Sequence, residues 1–435
     1  MMLRRIFVSG GVVFFLILGM FSLAWAAPIP SSQLIPVAAS PDDEMLPAVA
    51  YSTVSGTYLV AYQYHDGSDY HVALRMFDSH GTPLFPGPMD LGAGHRFPAV
   101  AYNSLHDLFG VATARDDAHI VMHWIPGNDQ ALAPGSTGQI VQTSSDTVMA
   151  PAIAFNDTAA HADFLIVWEE GVLGDWSVYG HRVTPTAPFH SVGPLIPIAL
   201  TTRTPTYEEN YSAPDVAYNS DTDEYLVVFE HWTNDPAHST ASDILGRRIR
   251  NDGTGPAPLP HLVIDAWPCD QFQPTVAAFP LNPAKPYFVA YEDKANPPGC
   301  DTEVNIRGIY LQADGNLAIP ANYLNLSATL ATREANPDLI ASDLLGAYII
   351  TWSKYSGANS DIYARRIDPD LGLLDQPTLI SGGVPNVRGN ETYPVVGGGW
   401  PTTFIVWHED GWGGGPMDVV GRIWGYLVHL PLVVK

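Results

Sequence analysis

The chain has 435 residues, with 45 acidic against 20 basic side chains and a formal net charge of −25. Such a field repels nucleic acid and anionic lipid, which excludes both as partners, and its ordinary use is solubility outside the cell. Two cysteines are too few to build a metal centre alone, so no metal is expected from them.

In chain order, the first segment is an export signal over residues 1–26. Arg4 and Arg5 lead an apolar stretch from Ile6, and Ala24-Trp25-Ala26 forms a small-residue cleavage site. The stretch is also long enough to span a bilayer if retained, so an anchor is the alternative. Export predicts a secreted or cell-surface protein, free of the membrane after cleavage; its oligomeric state is open, with a monomer preferred.

A phrase then recurs seven times: proline, any residue, valine or isoleucine, usually alanine, then often an aromatic. The copies start at Pro47, Pro98, Pro151, Pro214, Pro274, Pro337 and Pro394. Their spacing of about 50–65 residues fits four short strands with loops, and self-similarity at a fixed period marks a radial or solenoid architecture. The fourth copy shows the order best: strand a over 214–219, b over 225–230, c over 243–249 and d over 261–265, each bounded by Gly, Pro, Asn or Asp. Strand b is nearly all apolar, as in 164–168, 225–229 and 287–291. A sheet with one wet face would alternate, so unbroken apolar runs predict packing on both faces, as in the stacked blades of a seven-bladed β-propeller spanning 27–425. The second copy is the deviant one, because its strand b contains Gly110 and lacks the closing aromatic.

Runs resembling strand d precede every strand a, and the first of them, residues 33–37, lies before blade 1. Blade 7 has its own a, b and c but no obvious d. The early run is therefore expected to complete blade 7 and close the ring, which removes exposed edges. The alternative is that the apolar tail, 426–435, supplies that strand.

In a four-stranded meander the d-to-a and b-to-c connections share one face, here called the upper face. Cys269 and Cys300 both fall on the upper face of blade 5, so an oxidising compartment would join them. The same face gathers acids and aromatics. Candidate binding residues are Glu170 and Trp176 in blade 3; Tyr207, Glu208, Glu209 and Tyr211 before blade 4; and His231, Trp232 and Asp235 within it. Trp267 and Asp270 precede blade 5, and His408, Glu409, Asp410 and Trp412 belong to blade 7. Paired carboxylates could perform glycoside hydrolysis, and tryptophan could stack on sugar.

Periodicity argues the other way for some acids. Glu169, Glu230 and Glu292 sit at one repeat position, as they would if each satisfied its own blade's strand ends or neighbouring arginines. Arg75, Arg247, Arg365 and Arg422 recur in strand c, where a planar fork suits bridging between blades. Residues 219–223 look like a fragment of a calcium loop but occupy an a-to-b turn, where Asn and Asp are ordinary turn formers. No cofactor is expected, with calcium the alternative.

The runs Pro214-Asp-Val-Ala-Tyr-Asn219, Tyr225-Leu-Val-Val-Phe-Glu230 and Asp243-Ile-Leu-Gly-Arg-Arg-Ile249 resemble the tandem repeats of secreted bacterial β-propeller proteins. That resemblance implies extracellular placement and no assigned reaction. The leading expectation is a binding or scaffold module that recognises an extracellular protein or glycan through upper-face loops of blades 3 to 5. A carbohydrate-active enzyme, hydrolase or lyase, and a structural surface protein are the alternatives.

Overall fold

The computed structural model describes residues 29–425 apart from 31–32, 134–137, 159–160, 173, 186–190, 203–206, 235–241, 251–260, 267–268, 280–281, 283, 285, 297–298, 318–322, 328–331, 343–345, 358, 371, 383–389, 399–401 and 412–414. The export signal, the tail, Asp235, Trp267 and Trp412 lie outside the described residues.

Seven antiparallel sheets are present, and all regular structure among the described residues is strand. Strand a of each blade packs on strand a of the next, and the last packs on the first, so the sheets form a closed ring. Blade 4 runs Glu209–Asn219, Glu224–Thr233, Asp243–Arg250 and Leu262–Asp265. The protein is a seven-bladed β-propeller, as the repeat predicts.

Closure follows the strand count. Ile35 pairs with Gly421, Pro36 with Val420 and Ala38 with Val419, so the chain start completes blade 7. A short preceding piece adds Ile29 opposite Gly425. The outer strands of blades 3 and 6 are broken in the same way, into Ser191–Val192 with Ile196–Ala199 and Gly372–Leu373 with Thr378–Leu379.

Burial explains the apolar runs. Residues 58–61, 164–168, 225–229, 287–291 and 404–407 of the b strands are fully buried, each covered by its neighbours on both faces. Gly110 is not a defect in this scheme. A methyl group there would run into Met122 Cε of the same blade and sit 3.0 Å from the Phe164 ring of blade 3, so the missing side chain makes room for both.

The strand-c arginines join blades, as their period suggests. Arg75 Nη1 donates to the Val37 carbonyl at 2.6 Å, Arg365 to Leu326 at 3.0 Å and Arg422 to Ile380 at 2.6 Å; Arg247 donates to Ile198. Each acceptor lies on or immediately after the outer strand of the preceding blade. At the equivalent register, His123, His181 and Ile309 stand in blades 2, 3 and 5.

Cys269 and Cys300 form the expected disulfide, with Cα atoms 5.5 Å apart, on the upper face of blade 5. In the turn that resembles a calcium loop, Asn219 Oδ1 accepts from the Asp221 amide at 3.0 Å and Asp223 Oδ1 from the Tyr218 hydroxyl at 2.7 Å. Both groups serve the turn itself. Among the described residues no group of three or more His, Cys, Asp or Glu side chains is placed to hold a metal, and no helix is long and apolar enough to cross a membrane.

Candidate functional site

Most of the loop residues that the sequence singles out tie the loops together. Glu170 accepts from Ser144 Oγ at 2.6 Å and from Trp168 Nε1 at 2.9 Å. The start of blade 4 is zipped to its own b-to-c hairpin: Glu209 pairs with Thr233, Asn210 with Trp232 and Tyr211 with His231. The Glu208 amide donates to Asn234 Oδ1 at 2.7 Å. Asp270 binds Lys294 at 2.9 Å, and Asp410 accepts from Asn390 Nδ2 at 2.9 Å. Tyr207 and Trp176 are half-buried, and the Trp176 amide donates to Asn210 Oδ1 at 2.9 Å.

Three candidates are corrected outright as contact residues. Tyr211 is only 5% exposed because it is stacked against His231, with Phe229 and His261 beside it. His408 is 6% exposed: its Nδ1 accepts from the Leu46 amide at 3.2 Å and its Nε2 faces Thr392 Oγ1 at 2.7 Å. Burial holds this imidazole down at about 4, so it stays neutral. Glu409 is buried as well. Trp232, at 36% exposure, remains an open aromatic on this face.

The site that the fold builds lies elsewhere, at the upper mouth of the central channel. In all seven blades the residue before the repeat proline has a left-handed backbone: Leu46, Phe97, Ala150, Ala213, Gln273, Asn336 and Tyr393, with φ between 47° (Ala150) and 56° (Asn336). Each step coincides with a slip in the a–b register, so each is a β-bulge. Non-glycine residues pay on the order of 1–3 kcal/mol for such a conformation, and here the surrounding ring imposes it seven times.

Side chains from the preceding blade hold these bulges. The Ala213 amide donates to Glu169 Oε1 at 2.6 Å, Asn336 to Glu292 Oε1 at 2.8 Å, and Phe97 to Gln63 Oε1 at 3.0 Å. Glu230 receives the Gln273 amide in the same way. The three periodic glutamates are therefore structural, but their partner is the backbone of the next blade. Two of them have further partners of the expected kinds: Glu230 also bonds Ser242 beside its own blade's strand c, and Arg333 attracts Glu292. Two further carboxylates, one residue past the proline, do the same: Asp215 accepts from the Val276 amide at 2.7 Å and Asp338 from Val396 at 2.6 Å. Burial pushes the carboxyls of Glu169, Glu292 and Asp338 up to about 7, and raises those of Glu230 and Asp215.

The bulges frame a cavity of about 330 Å³ lined by all seven blades. Its wall is divided. Tyr393, Leu46 and Phe97 form an apolar arc over blades 7, 1 and 2, with the alanines of blades 3 and 4 continuing it, while Gln273 and Asn336 present amides on blades 5 and 6. Tyr393 is 45% exposed and is backed by His408 at 5.1 Å. Glu169 and Asp338 reach the same cavity. Sequence reasoning missed Leu46, Phe97, Gln273, Asn336 and Tyr393; their one signal is the constant position before the repeat proline.

No family model matches the chain, and no curated protein does. Among solved structures, the polysaccharide lyase Uly1 superposes with a TM-score of 0.52 at 10% identity, covering 91% of this chain and 100% of that one. The α-L-arabinofuranosidase Arb93A from Fusarium graminearum reaches 0.49 at 10% identity, over 91% and 97%. An α-L-arabinanase from Penicillium chrysogenum reaches 0.44 at 10%, over 91% and 98%. What this chain shares with the lyase is the overall fold.

Proposed function

We propose that the protein is an exported, carbohydrate-recognising propeller whose ligand sits over the upper mouth of the channel. The observation that carries this reading is the divided wall of the mouth cavity. A sugar ring has an apolar face that stacks on an aromatic, here Tyr393 and Phe97, and equatorial hydroxyls that pair with amides, here Gln273 and Asn336. None of the seven framing residues is charged, which suits a neutral glycan. The disulfide fits an oxidising compartment and the fold likeness to a polysaccharide lyase is in keeping with a carbohydrate ligand.

Catalysis is a second reading, favoured by one observation. Glu169 and Asp338 line the same cavity with carboxyls near 7, where both protonation states are present at neutral pH, as an acid–base pair requires. Against it stands the backbone amide that each already holds.

The test is a glycan array probed with the wild-type chain and with Tyr393→Ala and Trp232→Ala, followed by product analysis on any glycan bound. Recognition at the mouth expects binding that Tyr393→Ala abolishes and Trp232→Ala leaves. Loss in Trp232→Ala alone would move the site to the blade 4 hairpin. New reducing ends or unsaturated products, absent in Glu169→Gln, would establish the enzyme.

A further inference from the structure

The lower mouth of the channel holds a second cavity, of about 430 Å³, built from different residues. Its floor is small and apolar: Ala101, Ala154, Ala277 and Ala341, with Leu339 and Ile340. Its rim carries three aromatic rings on consecutive blades, Tyr102, Phe155 and Tyr218. Each ring is backed by an aromatic of its own strand b: Tyr102 by Phe109 at 5.2 Å, Phe155 by Phe164 at 5.1 Å and Tyr218 by Tyr225 at 5.0 Å. Two of them are further pinned through their hydroxyls, Tyr102 to Asp107 at 2.9 Å and Tyr218 to Asp223 at 2.7 Å. The platform is thus rigid before any ligand arrives, which spares the ordering cost of binding.

Polar groups stand beside the rings. Ser104, Asp157 and Ser220, all in a-to-b turns, line the same cavity. No residue of blades 7 or 1 is among the described lining, and there the inner strands pack closely on each other: a methyl group on Gly397 would lie 2.9 Å from Val49 Cγ2. The cavity is therefore one-sided, with rings and acceptors on blades 2 to 4 and an apolar wall on blades 5 and 6.

We propose that this lower cavity is a second carbohydrate site, which makes the protein bivalent, with one glycan segment held at each end of the channel. The proposal extends the reading of the upper mouth but shares no lining residue with it. Aromatic rings next to carboxylate and hydroxyl acceptors match a pyranose or furanose, and both cavities fall within the roughly 300–1,000 Å³ of small-ligand sites. A module gripping polymer from both faces would cross-link it, and avidity would then exceed the affinity of either site.

The experiment is isothermal titration of the full mature chain with arabinohexaose, xylohexaose and cellohexaose, in the wild type and in Tyr218→Ala, Ser220→Trp and Tyr393→Ala. Ser220→Trp blocks the rim while leaving the pinned ring in place, so it guards against a Tyr218→Ala variant that simply unfolds. Two ligands per wild-type chain are expected, falling to one in Ser220→Trp and Tyr218→Ala by loss of one site and in Tyr393→Ala by loss of the other. A single site removed by Tyr393→Ala and indifferent to Ser220→Trp would overturn the lower site and leave the upper. A single site removed by Ser220→Trp alone would overturn the upper and keep the lower. No binding of any probe overturns both.

Discussion

The seam between blades 3 and 4 is closed by two polar clasps, Glu169 to the Ala213 amide and Arg247 to the Ile198 carbonyl. Between blades 2 and 3 the same two positions hold Ala114 and His181. Ala114 has no acceptor to offer, and across the seam His181 meets the Gln142 side chain, at 3.3 Å. Both seams bury an apolar cluster; the one between blades 2 and 3, with Met122, Trp124, Phe164 and Trp168 at its centre, has neither of these clasps beside it. One ring thus uses two kinds of joint. A clasp fixes the angle between blades through directed bonds, whereas an apolar joint holds by contact area and tolerates no missing volume.

The largest expected effect lies in the apolar seam. Phe164→Ala removes a fully buried ring that touches Trp124 and fills the space left by Gly110, and should cost about 3–5 kcal/mol. Chemical denaturation would check this. A loss below about 1 kcal/mol would show that area is not what holds blades 2 and 3.

Next comes the clasped seam. Glu169→Ala leaves the Ala213 amide without its acceptor and should cost about 1–3 kcal/mol, while Glu169→Gln retains an acceptor at the same reach and should cost less than half as much. Equal losses in both variants would mean that shape, not the hydrogen bond, matters there.

The clasp also has a pH signature with a fixed sign. Burial raises the folded carboxyl of Glu169 from 4.5 to about 7, so between those values the folded chain holds a proton that the unfolded chain has released. Its contribution is fully present below pH 4.5 and lost as pH rises to about 7. Buried histidines such as His408 and His95, both held down at about 4, act in the opposite direction. The difference between Glu169→Gln and wild type cancels them. The Tm of the glutamine variant should therefore gain on wild type by a few degrees between pH 5 and pH 8, as scanning calorimetry would show.

These contrasts mark what the sequence could reveal. The seven prolines, the strand count and the strand-c arginines were legible because each repeats a residue type, and repetition of chemistry reports repetition of geometry. Ring closure was legible because an unpaired strand at one end met a missing strand at the other. The left-handed step was not. Leu46, Phe97, Ala150, Ala213, Gln273, Asn336 and Tyr393 share no chemistry, and a position before proline is ordinarily extended, so only the bulge in the assembled ring creates the conformation. The mouth cavity was hidden with it. Tyr211, His408 and Glu409 misled for a related reason: polar and aromatic residues in a loop look exposed until a hairpin folds over them.

The smallest effect is a gain. If the two seams differ only by the missing clasp, Ala114→Gln should install one, since Gln63 already performs this role between blades 1 and 2 from the same register position, reaching the Phe97 amide at 3.0 Å. The new amide oxygen would meet Ala150, whose φ of 47° matches that of the other clasped residues. A net hydrogen bond contributes about 0.5–1.5 kcal/mol, from which any crowding in the tightly filled cluster must be subtracted. A rise in Tm of a degree or two, with slower hydrogen exchange at the Ala150 amide, is the expected result. Slower exchange without a rise would mean that crowding cancels the bond. Unchanged exchange would mean that the second seam is apolar because its geometry admits no clasp.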